Sequence, residues 1–174
     1  MNSTVYIAGT GGFSAEITQY IEDNNTKLKE KMNIIGYFDI NDSEYKKYGF
    51  TYPFLGFEQE YNFSQKSNMI IAIADPQLRK KLYDYFKAKN LNFPNLIHNS
   101  CFVSKKAQIG ESSVLCPFVT ITANARIGVN FQANIYSYIA HDCIIGDNVT
   151  FAPGVKCTGN IELSDNVYIG PGAI

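Results

Sequence analysis

Residues 103–174 read, in blocks of six, VSKKAQ, IGESSV, LCPFVT, ITANAR, IGVNFQ, ANIYSY, IAHDCI, IGDNVT, FAPGVK, CTGNIE, LSDNVY and IGPGAI. The first position of every block is apolar, and the fifth is small or apolar throughout. An unbroken period of six residues is typical of a parallel β-helix, in which each block forms one side of a coil. The pattern therefore predicts a β-helix over this segment, with three blocks to a coil.

Residues eighteen positions apart should stack on one another, because three blocks close one coil. The third and fourth positions of each block fall at corners and point outward, and His141 and Asp142 occupy such a corner. Ala123 and Gly159 stack on either side of His141 and leave its imidazole room. Histidine suits proton transfer near neutral pH, and a neighbouring carboxylate can hold its tautomer. The residues alone leave open a general base and an ordinary solvated histidine.

The N-terminal part of the chain has a different pattern. An apolar, β-branched run over residues 4–8 precedes Gly9-Thr10-Gly11-Gly12 and a helical pattern over residues 15–22. A strand, a glycine turn and a helix N-terminus in this order can bind a phosphate. The alternative is that the glycines only make a tight turn.

Two further strands are predicted over residues 34–38 and 69–74, and a helix with an apolar face formed by Leu78, Leu82, Tyr85 and Phe86 follows. This order indicates half of a doubly wound sheet, whose crevice lies at the carboxyl ends of the strands. The sheet is too small for a complete dinucleotide domain, which favours a nucleotide or nucleotide sugar over NAD. The crevice would be walled by Gly9, Gly11, Gly12, Asp39 and Asp75.

We therefore predict two domains, a half-Rossmann α/β domain over residues 1–98 and an all-β domain over residues 99–174. His98, at the joint, is expected to have a structural or hydrogen-bonding role.

Composition excludes several classes of function. The net charge is −1 without a basic stripe, which argues against nucleic acid and anionic membranes as partners. No apolar run reaches membrane-spanning length and no leader is evident, so a cytoplasmic location is expected. The four cysteines show no Cys-x-x-Cys spacing, and the chain has only two histidines. We therefore expect no metal site, and the three-histidine zinc site of a γ-class carbonic anhydrase is excluded.

Six segments carry a resemblance that runs the length of the chain: Val5–Gly12, Ile35–Asp39, Ile71–Asp75, Arg79–Lys81, Leu96–His98 and His141–Asp147, the last followed by Ala152–Val155. With these segments the chain resembles the nucleotide-sugar acyltransferases of the left-handed β-helix superfamily. The similarity is greatest to the group of sialic-acid O-acetyltransferases and UDP-4-amino-sugar N-acetyltransferases.

The resemblance implies a homotrimer of left-handed prisms that binds the nucleotide sugar by its N-terminal domain and acetyl-CoA along the β-helix. His141 matches the family's general base and Asp142 its acidic partner. Asn134 matches a polar active-site position, and Gly159 a backbone position near the thioester of acetyl-CoA. The expected reaction is N-acetylation of a nucleotide-linked amino sugar in surface-glycan biosynthesis, with sugar or sialic-acid O-acetylation as the alternative.

The chain departs from this family at two positions. Phe13 and Thr150 stand where its members usually have histidine. Family members also continue for several more coils, so we expect either that the β-helix domain is truncated at its C-terminus or that the chain is naturally short with an altered acyl-donor site. These departures support an alternative of another class, a catalytically impaired scaffold that binds a nucleotide sugar.

Overall fold

The structure, a computed structural model, describes residues 3–64 and 66–174 and divides into two compact units. The first unit comprises Met1–Ile73 and Lys81–Pro94, and the second comprises Ala74–Lys80 and Asn95–Ile174. The predicted limits 1–98 and 99–174 differ from this division, because residues 74–80 and 95–98 pack with the coils. As functional domains, those limits remain a prediction.

The first unit is an α/β unit built on a parallel three-stranded sheet. Its strands are β1 (Ser3–Ala8), β2 (Met32–Phe38) and β3 (Asn68–Ile71), in the order β2-β1-β3. The predicted strands are confirmed, although the third ends at Ile71 and not at residue 74. Helix α1 (Gly12–Lys27) follows β1 directly and buries Ile17 and Ile21. It extends beyond the predicted pattern at both ends, and Gly12 of the glycine turn is its first residue.

Two short helices occupy the segment between β2 and β3, which the sequence pattern does not assign. They are α2 (Ser43–Tyr48) and a 3-10 turn over Glu58–Glu60. The third helix, α3 (Pro76–Ala88), begins in the second unit and ends in the first. Its predicted apolar face is correct at Phe86, which is fully buried in the first unit. The prediction is wrong at Leu78, which is 47% exposed.

The second unit is a parallel β-helix of thirteen two-residue strands, which confirms the predicted fold class. The strands form three parallel sheets, in the orders β16-β13-β10-β7-β4, β14-β11-β8-β5 and β15-β12-β9-β6. They are β4 (Leu96–Ile97), β5 (Phe102–Val103), β6 (Gln108–Ile109), β7 (Val114–Leu115), β8 (Thr120–Ile121), β9 (Arg126–Ile127), β10 (Gln132–Ala133), β11 (Tyr138–Ile139), β12 (Ile144–Ile145), β13 (Thr150–Phe151), β14 (Lys156–Cys157), β15 (Glu162–Leu163) and β16 (Tyr168–Ile169).

The strand register follows the sequence period. Ile139 pairs with Ile121 on one side and with Cys157 on the other, so neighbours in each sheet lie eighteen residues apart. The first position of each block packs in one hydrophobic core that includes Leu115 and Phe151, and fifth-position residues such as Phe131 join it. The coils begin earlier than residue 103, because Ile97 already pairs with Leu115.

A left-handed backbone residue turns the chain at the corners. Every sixth residue from Ser112 to Asn166 has a positive φ, including Asp142 at 59°, Asn148 at 57° and Gly154 at 72°. Asparagine, aspartate and glycine adopt this conformation at the least steric cost, which explains their recurrence in the fourth position of the blocks.

In the part of the chain that the structure describes, no helix is long and apolar enough to cross a membrane. Over the same residues, no three His, Cys, Asp or Glu side chains form a group that could hold a metal ion.

Candidate functional site

The corner that carries His141 lies between strands β11 and β12. Its main chain is held on both sides, because the N–H of Asp142 donates to the carbonyl oxygen of Ala123 (3.1 Å) and the carbonyl of His141 accepts from the N–H of Asn160 (3.1 Å). The left-handed φ of Asp142 turns the chain here. The corner is therefore a fixed platform for two exposed polar side chains.

The two side chains form a hydrogen-bonded pair. His141 Nδ1 lies 2.7 Å from Asp142 Oδ2, and Asp142 Oδ1 accepts a hydrogen bond from Asn124 Nδ2 at 2.9 Å. The bond from Asn124 and the bond to His141 lower the pKa of Asp142. An ionised carboxylate can only accept hydrogen bonds, so the proton between the two side chains belongs to Nδ1. A neutral imidazole then carries its free lone pair on Nε2.

The imidazole of His141 lies against Gly159 of the next coil. A Cβ atom on Gly159 would be 2.8 Å from Cε1 and 2.9 Å from Nε2 of His141, closer than real Cβ contacts allow. Any other residue at position 159 would therefore displace the ring. The structure brings together His141, Asp142 and Gly159, as the eighteen-residue stacking predicts.

Asn134 lies at another corner of the coil, directly after strand β10. Its N–H donates to the carbonyl of Phe151 (2.9 Å), and its Oδ1 accepts from the N–H of Ile135 (2.7 Å). Its side-chain oxygen thus shapes the following turn, and the amide is half-buried.

The glycine turn after β1 belongs to the first unit, as does Asp39. Gly9 has a φ of 104°, and a Cβ on it would approach Ile73 Cδ1 to 2.9 Å. Gly11 precedes α1 as its N-cap, provides no side-chain cap, and has open space where a side chain would point. The N-terminal turn of α1 contains no acidic residue, which leaves its N–H groups suited to an anion.

Asp39 contacts the glycine turn directly. Its Oδ2 accepts from both the N–H (2.9 Å) and the hydroxyl (2.7 Å) of Thr10, and its Oδ1 accepts from the N–H of Ile40 (2.8 Å). Asp39 therefore holds the turn in place. The sequence pattern placed Asp39 beside the turn but did not identify Thr10 as its partner.

Asp75, the fifth predicted crevice residue, belongs to the second unit. Its Oδ1 accepts from the N–H of Leu78 (2.7 Å), so it caps the start of α3. A helix-capping role explains an aspartate before Pro76 without any ligand.

Two residues near the glycine turn come from the segment that sequence patterns leave unassigned. The hydroxyl of Tyr48 lies 3.0 Å from where a Cβ on Gly12 would be, so it covers that side of the turn. Glu58 is buried, and both burial and the nearby charge of Asp39 raise the pKa of its carboxyl. Neither residue has a motif that could have identified it.

Arg79, in the second unit, has a fully buried side chain, although arginine side chains are usually exposed. Its guanidinium donates to the carbonyl oxygens of Ala74 (3.0 Å), Asn130 (3.1 Å) and Val149 (3.3 Å), and to Gln132 Oε1 (3.2 Å). Burial lowers its pKa to about 9, which the charge of Asp75 opposes.

Two further sequence positions have structural explanations. Thr150, where the resembling family usually has histidine, is buried and donates from Oγ1 to the carbonyl of Ala74 (2.9 Å). His98 is buried with Nδ1 2.7 Å from the hydroxyl of Ser100, which agrees with a hydrogen-bonding role.

Comparison with known families matches two parts of the chain. Residues 4–86 match the PglD N-terminal domain, and residues 124–159 match the bacterial transferase hexapeptide family of six repeats. GDP-perosamine N-acetyltransferase of Escherichia coli O157:H7 is 44% identical over 104 residues, which are 60% of this chain and 47% of that protein. The chain thus spans about half the length of this curated relative.

Two solved structures are similar over the whole chain. WeeI from Acinetobacter baumannii AYE has a TM-score of 0.82 at 36% identity, covering 100% of this chain and 80% of that one. The acetyltransferase domain of PglB from Neisseria gonorrhoeae FA1090, in complex with acetyl coenzyme A, has a TM-score of 0.73 at 18% identity, covering 100% and 91%. At 18% identity the likeness shows the fold alone.

Proposed function

Because this chain belongs to the hexapeptide-repeat acetyltransferases that carry a PglD-type N-terminal domain, we propose that it is an acetyl-CoA-dependent N-acetyltransferase of a nucleotide-linked amino sugar. His141 is the general base, and transfer from the thioester to the amine is direct. The proposal includes a place in surface-glycan biosynthesis, a cytoplasmic location and a homotrimer.

The hydrogen-bonded pair of His141 and Asp142 is the observation that carries this proposal. The pair leaves Nε2 of His141 as a proton acceptor on an open corner, with the bare backbone of Gly159 beside it. A thioester carbonyl held over Gly159 would lie within reach of an amine whose proton Nε2 accepts. A general base in this position typically contributes a factor of about 10² to 10⁴ in rate.

The reaction forms one bond and breaks another. The sugar amine attacks the acetyl carbonyl carbon of acetyl-CoA while its proton passes to Nε2 of His141. Backbone N–H groups near Gly159 would stabilise the negative oxygen of the tetrahedral intermediate. The carbon–sulfur bond then breaks, the amide remains, and the proton on the imidazole can pass to the CoA sulfur. Asp142 stabilises the imidazolium that forms in between. Asn134 is proposed to contact the acetyl-CoA.

The first unit supplies the features that favour a nucleoside diphosphate sugar. The N-terminus of α1 follows Gly11 without a side-chain cap, and helix N-termini with this geometry attract phosphate. We propose that Gly9, Gly11 and Gly12 form the phosphate-binding turn and that Asp39 orients it through Thr10. The similarity to the GDP-perosamine N-acetyltransferase of Escherichia coli supports an amino sugar carried on a nucleotide as the acceptor. Asp75 is the weakest member of the predicted set, since capping accounts for it.

A second candidate function, a nucleotide-sugar-binding scaffold without catalysis, is favoured by one observation. Thr150 replaces the family's usual histidine and points its hydroxyl at the carbonyl of Ala74, so it offers no base. The scaffold would bind the nucleotide sugar and release no CoA.

The test is a thiol-release assay with acetyl-CoA and a panel of GDP-, UDP- and dTDP-linked amino sugars, with sialic acid as an O-acetylation acceptor. Equilibrium binding of each acceptor is measured in parallel. N-acetyltransfer predicts thiol release with an amino sugar and an amide product. Turnover with sialic acid alone would instead make the chain an O-acetyltransferase. Tight binding without any turnover would support the scaffold.

A further inference from the structure

We infer that Asn124 is a positioning residue that fixes the Asp142 carboxylate in the orientation that His141 requires. The inference rests on the proposed function of the His141–Asp142 pair. Asn124 occupies the corner one coil before Asp142, in the same stacking column. No motif marks it, and only the eighteen-residue register connects it to the site.

The contacts around Asp142 divide its two oxygens between two partners. Asn124 Nδ2 donates to Oδ1 at 2.9 Å, and His141 Nδ1 lies 2.7 Å from Oδ2. A carboxylate bonded at one oxygen cannot rotate freely, so the second oxygen stays directed at the imidazole. The division also leaves Oδ2 available to His141.

Solvent exposure makes this restraint necessary. The side chains of His141 and Asp142 are 60% and 46% exposed, so water competes for every hydrogen bond of the pair. An exposed ion pair contributes little on its own, because two flexible side chains must be held in one geometry. An amide fixed on the neighbouring coil reduces that freedom without adding a charge.

The backbone of Asn124 explains how a side chain at a corner can serve this purpose. Asn124 and Asp142 both adopt left-handed conformations, with φ of 62° and 59°. Equal turns on adjacent coils project the two side chains in the same direction. Asparagine is also among the residues that adopt this φ most readily, so the same residue suits both the turn and the hydrogen bond. The other charged residues stacked at this corner are Lys106, in the column of Asn124 and Asp142, and Lys105, in the column of His141, both one coil before Asn124.

Two variants separate the amide from the turn. Asn124→Gly keeps a residue that tolerates positive φ but removes the donor. Asn124→Asp keeps the shape and replaces the donor with a second carboxylate facing Asp142. Asn166→Gly is the matched control, because Asn166 has a φ of 61° at a different corner. Steady-state kinetics over a range of pH and thermal unfolding are measured for all three in the full chain.

The positioning role predicts that Asn124→Gly lowers kcat about tenfold with little change in KM, a loss typical for one charge-assisted hydrogen bond. Asn124→Asp should lower kcat further and move the acid limb of its pH profile to higher pH, since a second carboxylate favours the protonated imidazole. The Asn166→Gly control should have the kcat and the pH profile of the unmodified protein. Wild-type kcat and an unshifted profile in both Asn124 variants would overturn the inference.

A titration of the same proteins by NMR is independent of turnover. The pKa of the Asp142 carboxyl should rise in Asn124→Gly, because the hydrogen bond from the Asn124 amide that lowers it is lost. If no acceptor is turned over and this pKa still rises, the proposed function fails and the positioning role stands. An unchanged Asp142 pKa in Asn124→Gly would overturn the positioning role whatever the activity.

Discussion

Two corners of the β-helix share a backbone conformation and differ in their surroundings. At one corner, Asp142 turns the chain with a φ of 59° and His141 is exposed to solvent. At the next corner, Asn148 turns it with a φ of 57° but is only 5% exposed. There Asn130 Nδ2 donates to Asn148 Oδ1 at 2.8 Å, and the guanidinium of Arg79 covers the adjacent carbonyl groups.

The six-residue period therefore determines the backbone turn at each corner but not the function of the side chains that the turn carries. A buried corner must satisfy every polar group internally, so its side chains serve the fold. An exposed corner with a glycine beside it leaves a proton acceptor open to a substrate. Substitutions at the two corners should therefore affect different quantities, activity at one and stability at the other.

The largest expected effect is on activity at the exposed corner. His141→Asn should lower kcat by a factor on the order of 10² to 10⁴, because it removes the proton acceptor. The free energy of unfolding should stay within about 0.5 kcal/mol of the wild-type value, as for substitutions at other exposed positions. Steady-state kinetics and chemical denaturation check both values. A variant that kept wild-type kcat would remove His141 from the mechanism.

The largest effect on stability is expected at Arg79. Arg79→Met should lower the free energy of unfolding of the β-helix by about 3 kcal/mol, because the carbonyl groups of Asn130 and Val149 lose a charged donor. Urea denaturation measures the loss, with the exposed neighbouring substitution Lys80→Met as control. Equal stability of the two variants would show that the buried corner does not depend on the guanidinium.

Asparagine substitutions compare the two kinds of corner at equal backbone conformation. Asn148→Ala should lose about 2 kcal/mol of stability, roughly half from the left-handed backbone and half from the hydrogen bond with Asn130. Asn148→Gly should recover the backbone part. Asn160→Ala, at an exposed corner with a φ of 60°, should lose only the backbone part. Losses of the same size at Asn148 and Asn160 would contradict the distinction between the corners.

Gly159→Ala should have the smallest effect and confine it to activity. The added Cβ must displace the imidazole of His141, and we expect kcat to fall about tenfold while stability changes little. Gly170→Ala is the control, because a Cβ there meets no atom within 4 Å. If both variants keep wild-type kcat, the contact between Gly159 and His141 has no part in catalysis.

The two units also differ in how far sequence predicts structure. In the β-helix, a fixed period determines the register, so the proximity of His141 to Gly159 follows from counting eighteen residues. The burial of Arg79 does not follow, because three of its acceptors, Asn130, Gln132 and Val149, lie 51 to 70 residues away along the chain and belong to no pattern. A helical spacing rule placed Leu78 inside, whereas the structure buries the residue beside it.

In the first unit, motifs predicted the strands and the glycine turn but not the contacts around them. The pairing of Asp39 with Thr10 depends on how two strand ends meet. The position of Tyr48 over Gly12 depends on a short helix that no periodicity in the sequence predicts. Local patterns thus predict elements, whereas single contacts between distant segments require the structure.

The position of the proton on the neutral His141 ring decides whether Nε2 can act as the base. The ring nitrogens of a ¹⁵N-labelled protein are observed by NMR in the neutral form of the imidazole. The chain has only two histidines, so the spectrum of His141→Asn identifies the signals of His98. A base held by ionised Asp142 predicts a proton on Nδ1 and a bare Nε2. A proton on Nε2 instead would leave no acceptor at that atom and would exclude the proposed role of His141 as a base held by Asp142.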